Sequence, residues 1–248
     1  MPLADRMRMA ASGVSVGGAV QYAVTFNNST TVINAGSDAG IDDIPSGANF
    51  TVEAWIRPDS YGSSFGVAGI ICKSNTGSSD GWMMDLRSGY GLRATVDCAT
   101  TTAQSYSGTD ELAADSNWHH IVMYYDDSGD RYIYLAVDGV WVVSYFSTRN
   151  AGNGAYVSDA SQDLRIGNVR RDGVWRPFDG DIAWARISNN DRYSHETGFT
   201  PAAKDAPPAV DANTIEQWNL NDGAGVTAAA EVNASNNGTI TDGSWVAL

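Results

Sequence analysis

Trp118 to Phe146 reads WHHIVMYYDDSGDRYIYLAVDGVWVVSYF. Three runs rich in Val, Ile, Tyr and Trp are separated by Asp126-Asp127-Ser128-Gly129-Asp130 and by Asp138-Gly139, a pattern that predicts a three-stranded antiparallel meander. Asp-Gly is the sharper turn signal. Gly takes positive φ without strain and Asp tolerates it, so the pair suits a two-residue type I′ turn whose twist matches the strands it joins. Such a turn sets Val137 opposite Val140, and counting outward sets Ala136 opposite Trp141, Tyr134 opposite Val143 and Tyr132 opposite Tyr145. Side chains alternate across a strand, so Tyr132, Tyr134, Trp141 and Tyr145 share one face. Ile133, Leu135, Val137, Val140, Val142 and Phe146 take the other. A sheet apolar on both faces belongs inside a sandwich, with its aromatic face either roofed by loops or offered to a ligand.

The rest of the composition agrees. With 248 residues, 43% hydrophobic and 18% charged, the chain can bury a large core, and we expect one large all-β domain. The 26 glycines, frequent Asn, Ser, Thr and Asp, and the lack of a long 3.6-residue apolar period predict many short strands, many turns and little helix. A formal net charge of −14 repels phosphate backbones and anionic membrane surfaces, so nucleic acid is an unsuitable partner. No apolar run reaches the length of a membrane span, and Met1 to Gly18 lacks the apolar core of a signal peptide. Cys72 and Cys98 close strands separated by one other, roughly 9 to 10 Å apart at two strand spacings, which predicts free thiols.

Residues 1–18 differ from the remainder of the chain. Arg6, Met7, Arg8 and Met9 form a short basic and apolar arm on an acidic protein, expected to anchor it to a partner subunit. Residues 19–248 are expected to form the single domain. Alternation begins at Val20 to Phe26 and continues through Thr30 to Asn34, Phe50 to Pro58, Gly69 to Lys73, Trp82 to Arg87 and Gly91 to Asp97. After the meander come Leu164 to Val169, a polar loop with Trp175 near its tip, and Gly180 to Ser188. Residues 204–248 follow a Pro207-Pro208 linker and are too short for a core of their own. Ile215 to Leu220 and Gly238 to Val246 are expected to return to the same sandwich.

The ordered series FTVEAWIRP (50–58), IICKSN (70–75), GWMMDLR (81–87), WHHIVMYYD (118–126), YLAVDG (134–139), LRIGN (164–168) and FDGDIAWARIS (178–188) resembles the laminin-G-like, concanavalin A-like jelly rolls. That group includes pentraxins, many lectins, and bacterial or viral binding modules. The resemblance implies a two-sheet antiparallel sandwich. Some relatives carry calcium on an acidic residue in the strand matching Ile182 to Arg186, where this chain has Ala183. A structural calcium would therefore have to draw on Asp38, Asp42, Asp43 and Asp179 in loops.

Catalytic patterns are sparse. Retaining glycosidases need two carboxyl groups about 5 to 5.5 Å apart, which in this family lie on one strand face in a Glu-x-Asp-x-x-Glu run. Here Glu53, Glu111, Glu196, Glu216 and Glu231 are isolated in sequence. Asp126, Asp127 and Asp130 suit turn duty. His119 and His120 are adjacent on a strand and point to opposite faces, so they cannot share a metal. No enzyme and no cofactor are expected. Aromatic rings stack on the apolar faces of sugars, which makes Tyr132, Tyr134, Trp141, Tyr145 and Trp175 the candidate saccharide platform, with a second core layer beneath loops as the competing reading.

Two function classes are compatible with these features. One is a non-catalytic, oligomeric structural or binding subunit displayed on a large assembly. A phage virion is the expected setting, with the arm as anchor and host-surface glycans as contacts. The other is a soluble or secreted lectin-like module.

Overall fold

Alternating apolar residues with Gly, Asn and Asp between the runs produce strands throughout the computed structural model, which describes residues 20–62, 65–75, 80–108, 112–143, 149–171 and 174–248. In chain order the first ten strands are β1 (Tyr22–Asn27), β2 (Val32–Gly36), β3 (Asn49–Pro58), β4 (Val67–Lys73), β5 (Trp82–Arg87), β6 (Gly91–Val96), β7 (Ala103–Tyr106), β8 (His119–Asp126), β9 (Ile133–Val137) and β10 (Val140–Trp141). They are followed by β11 (Leu164–Ile166), β12 (Asn168–Arg171), β13 (Val174–Pro177), β14 (Asp179–Ser188), β15 (Thr214–Trp218), β16 (Thr227–Ala228), β17 (Gly238–Thr241) and β18 (Ser244–Ala247). Among the described residues the only helical element is a 3₁₀ turn, Ala234–Asn236.

Two antiparallel sheets form a sandwich. The first runs β10-β9-β8-β3-β14-β1-β18, with β15 also paired to β14; the second runs β16-β17-β2-β11-β4-β5-β6-β7. Inward residues of both fill the core: Phe50, Val52, Ala54 and Ile56 from β3 face Trp82, Met84 and Leu86 from β5 and Leu92, Ala94 and Val96 from β6. Phe50 bridges the layers edge-on, 5.7 Å from Trp82 and 6.2 Å from Tyr125 between ring centroids, a favoured aromatic geometry.

The Asp138-Gly139 turn has the expected geometry. Both residues take positive φ, 51° and 81°, and Val137 stands opposite Val140 with Ala136 opposite Trp141. The ladder is shorter than counting predicts, because β10 ends at Trp141 and Val143 is 92% exposed. Val140, expected on the core face, is 68% exposed, because it lies beside the turn on the outermost strand. The pairing expected for Tyr145 lies outside the described residues, as do Phe146 and the arm residues Arg6, Met7, Arg8 and Met9.

Four further details bear on the sequence reading. The stretch around Trp175, read as a polar loop, is the β12–β13 hairpin, with Asn168 opposite Pro177 and Arg170 opposite Trp175. The β3–β14 register slips between Ile182 and Trp184, so Ala183 is the extra residue of a bulge and packs with Trp184 and Ala23 on the outer side. Both cysteines are buried free thiols. Beyond the Pro207-Pro208 segment, β15 pairs with β14, β17 with β2 and β18 with β1, and Trp218 sits fully buried in the main core.

Candidate functional site

On the outer face of the first sheet, β8, β9 and β10 present Tyr124, Tyr134 and Trp141. The segment from Asp191 to Ala203 lies across them. Trp141 is 9% exposed, and its indole Nε1 donates to Thr197 O at 2.9 Å. Phe199 packs on Trp141 at 5.9 Å, and His195 stacks on Tyr124 at 4.9 Å and lies 4.2 Å from Tyr134. The main chain fastens the strap as well, since Phe199 N donates to Gly139 O at 2.9 Å. Of the two readings left open by the sequence, the structure has the roofed one at Trp141.

Tyr132 and Tyr134 stay half-buried at the margin, where the Arg149 guanidinium lies 4.4 and 4.5 Å from their ring centroids. The strap is pinned underneath by a buried polar cluster that sequence reasoning missed. Glu53, fully buried on β3, accepts from Arg186 Nε at 2.6 Å, from Tyr193 OH at 2.5 Å and from His120 Nε2 at 2.9 Å. Burial works to raise the Glu53 pKa, but the His120 hydrogen bond and the Arg186 charge outweigh it and hold the carboxyl below its usual range. Its partners are contributed by β8, β14 and the strap, so no local pattern announces it.

Trp175 lies elsewhere. It belongs to β13, outside the second sheet, so the structure does not bring it together with Tyr132, Tyr134 and Trp141. On the hairpin, Val169 faces inward against Cys72 and Met83, and Gly69 permits this approach, since a Cβ there would stand 2.5 Å from Val169 N. The alternate positions Asn168, Arg170 and Trp175 therefore share the opposite face. That face borders a cleft of about 210 Å³ lined by Ser29, Thr30, Val32, Asn168 and Trp175. Trp175 is 42% exposed, whereas the protein's other seven tryptophans are buried or half-buried.

The guanidiniums of Arg165 and Arg170 lie 5.4 and 5.6 Å from the Trp175 ring centroid, within cation–π range. Asn168 is spent on structure, donating to Thr31 O and accepting from Arg176 N. The Thr30 hydroxyl donates to Asp242 at 2.6 Å on the far rim. Exposed ring, hydroxyls and guanidiniums make this the site best suited to a polar ligand with an apolar face. The Asp172-Gly173 pair, the same turn signal read at Asp138-Gly139, could have revealed the hairpin.

The loop acids proposed for calcium do not converge. Asp42 and the buried Lys73 ammonium are 2.8 Å apart, and Lys73 also donates to Asp159 O and Gln162 O at 3.0 and 2.5 Å. Asp43 accepts from Asp159 N and Ser158 Oγ; Asp38 accepts from Gly40 N and Ser235 Oγ; Asp179 accepts from Ser60 Oγ. Among the described residues no group of three or more His, Cys, Asp or Glu is placed to hold a metal. These residues do not fit a calcium site, and a lysine cation already ties part of that loop region.

Residues 27–198 match the family model of the concanavalin A-like lectin/glucanases superfamily. No curated protein matches the sequence. Among solved structures, a heptameric SAP-like pentraxin from Limulus polyphemus is similar at 12% identity and TM-score 0.48, covering 72% of this chain and 80% of that one. The CBM40 of a Ruminococcus gnavus IT-sialidase is similar at 11% identity and TM-score 0.47, covering 71% and 94%. Domains LG4-5 of the mouse laminin alpha1 chain are similar at 14% identity and TM-score 0.47, covering 77% and 48%. With the family match spanning most of the chain and the two-sheet sandwich beneath it, the protein belongs to the concanavalin A-like lectin/glucanase superfamily.

Proposed function

We propose that this protein is a non-catalytic module that binds a glycan at the Trp175 cleft. The observation that carries the reading is Trp175 itself, the one exposed tryptophan, set beside hydroxyl and guanidinium groups at a cleft of about 210 Å³. Absence of catalysis is supported by the use made of the buried carboxylates. Glu53 is bound by Arg186, Tyr193 and His120, and Glu216 by the amides of Gln217, Val232 and Asn233 and by Asn236 Nδ2. The test is a glycan array followed by calorimetry on the best hit. Trp175→Ala should weaken that hit about tenfold, as expected for loss of a stacked ring, with an unchanged melting temperature. A protein with no hits, or hits indifferent to Trp175→Ala, would reject the cleft.

The setting we propose is display on a larger assembly, such as a virion, through the arm bearing Arg6, Met7, Arg8 and Met9. Support comes from its basic and apolar composition on a chain of formal net charge −14. Replacing Arg6 and Arg8 together by Glu should weaken association with the assembly in a salt-dependent way. Unchanged association would remove the arm's charge from the explanation.

A further inference from the structure

We infer that the Trp175 cleft selects glycans carrying an anionic substituent, a carboxylate or sulfate, and that Arg170 is the residue that reads it. This rests on the glycan reading above and specifies its chemistry. Two cations stand at the indole, but their charges are not equally available. Arg165 Nη2 pairs with Asp163 Oδ2 at 3.0 Å and Arg165 Nη1 donates to Asp163 O at 3.3 Å, so its charge is locally balanced. Among the described residues no carboxylate lies within 4 Å of Arg170, and its Nε is buried without a hydrogen-bond partner.

The planar donor fork of arginine matches carboxylate and sulfate oxygens. Arg170 is also held in place, opposite Trp175 across the hairpin and on the same face, so a sugar ring seated on the indole brings its substituent to the guanidinium. The other rim has the opposite character. Thr30 and Ser29 offer hydroxyls there, with Asp242 behind Thr30, which suits the hydroxyl edge of a sugar and repels an anion. The cleft is therefore polar in a directional sense, anion-accepting at Arg170 and hydroxyl-accepting at Ser29 and Thr30. This local preference opposes the protein's overall negative charge, so it acts at contact and not at long range.

An array carrying neutral, carboxylated and sulfated glycans should return hits among the acidic members. Calorimetry then compares the best hit with its carboxyl-reduced or desulfated counterpart, which should bind at least tenfold more weakly. Arg170→Gln should cost the acidic ligand at least fivefold more affinity than its neutral counterpart and so shrink that difference, whereas Trp175→Ala should weaken both alike. Affinity for the acidic ligand should fall as salt is raised from 50 to 500 mM, and that for the neutral ligand should not; this readout needs no variant.

Hits shared equally by neutral and acidic glycans, or a neutral counterpart binding within twofold, would overturn the anion preference and leave the glycan reading standing. Acidic hits unaffected by Arg170→Gln in a protein of unchanged melting temperature would overturn the role of Arg170. No hits of either kind would overturn both. Carboxylated hits without sulfated ones, or the reverse, would support the anion preference and identify which anion the site takes.

Discussion

Glu53 shows how a single residue can be misread from its neighbours in sequence. As one of five scattered glutamates it offers no catalytic pair, yet it is the carboxylate on which Arg186, Tyr193 and His120 converge. Around it the rings of Trp55 and Trp184 lie 5.6 and 5.5 Å from the His120 ring. Removing one partner of a buried ion pair leaves the other charge desolvated and unpaired, which costs about 3 to 5 kcal/mol. Glu53→Ala should therefore lose about that much in urea unfolding, and Glu53→Gln less, since an amide still accepts hydrogen bonds. A loss below about 1 kcal/mol for Glu53→Ala would mean the cluster is not holding the strap. The alternation in FTVEAWIRP places Glu53 on the face away from the core. What it cannot place is Arg186, opposite Glu53 only through the β3–β14 register, or Tyr193, which arrives from a segment with no periodic pattern.

At the scale of elements, turn chemistry was the most legible feature, because a type I′ turn depends on two adjacent residues and nothing distant. The Asp138-Gly139 turn also has a tertiary duty. A Cβ on Gly139 would lie 2.0 Å from Phe199 O, against the strap. Gly139→Val therefore meets both a disfavoured positive φ and a backbone collision, and should cost about 2 kcal/mol or more in denaturant unfolding; a change within about 0.5 kcal/mol would contradict both arguments. Asp138 ties this turn to β8, since its Oδ1 accepts from His120 N and its Oδ2 lies 2.8 Å from His119 Nδ1, while His119 Nε2 lies 3.2 Å from Asp115 Oδ1.

The hydrogen bond to Asp138, ahead of the opposing desolvation, raises the His119 pKa above its ordinary 6.5. Asp115 is lowered, chiefly by hydrogen bonds from Asn117; Asp138 is lowered because the bonds from His119 and the His120 amide overcome its burial. A histidine raised on folding stabilises fully below its unfolded pKa and stops doing so as pH rises through the folded value. The two carboxylates contribute above their unfolded values and lose that contribution in acid. The clamp should be strongest between about pH 4 and pH 6.5. Between pH 5.5 and pH 8 the melting temperature should accordingly fall further in the wild type than in His119→Gln; equal falls would show that His119 does not supply the alkaline-side loss. The β12–β13 hairpin, by contrast, is hard to read in the sequence although an Asp-Gly pair lies between its strands, because the flanking Arg170, Arg171 and Arg176 obscure the apolar alternation by which a strand is recognised.

For the whole molecule, the decisive architecture lies beyond the segment that matches the family. That match ends at residue 198, but β15, β17 and β18 are inserted into both sheets after it. Their sequence announces strands, and its brevity argues against a separate core. Which edges they join is decided by long-range pairing that alternation cannot specify. Three terms bind them. Main-chain ladders extend β14, β2 and β1. Trp218 and Leu220 enter the main core, with Trp218 Nε1 donating to Asn236 O at 3.0 Å. Glu216, fully buried, gathers three backbone amides and Asn236 Nδ2 and so closes the chain from 231 to 236 onto β15.

Burying an aromatic and an aliphatic side chain alone is worth about 3 to 6 kcal/mol, a large part of the roughly 5 to 15 kcal/mol by which domains are stable. The truncated chain would also expose unpaired edges of β14 and β2, which template aggregation. A protein ending at Ala203 should consequently lose its cooperative melting transition, bind a hydrophobic dye and aggregate. Adding the separately produced 204–248 segment during refolding should restore the transition. A truncated protein that still melts cooperatively within about 5 °C of the full chain, a shift of roughly 1 to 2 kcal/mol for a domain of this size, would show that the C-terminal strands decorate the sandwich and do not complete it.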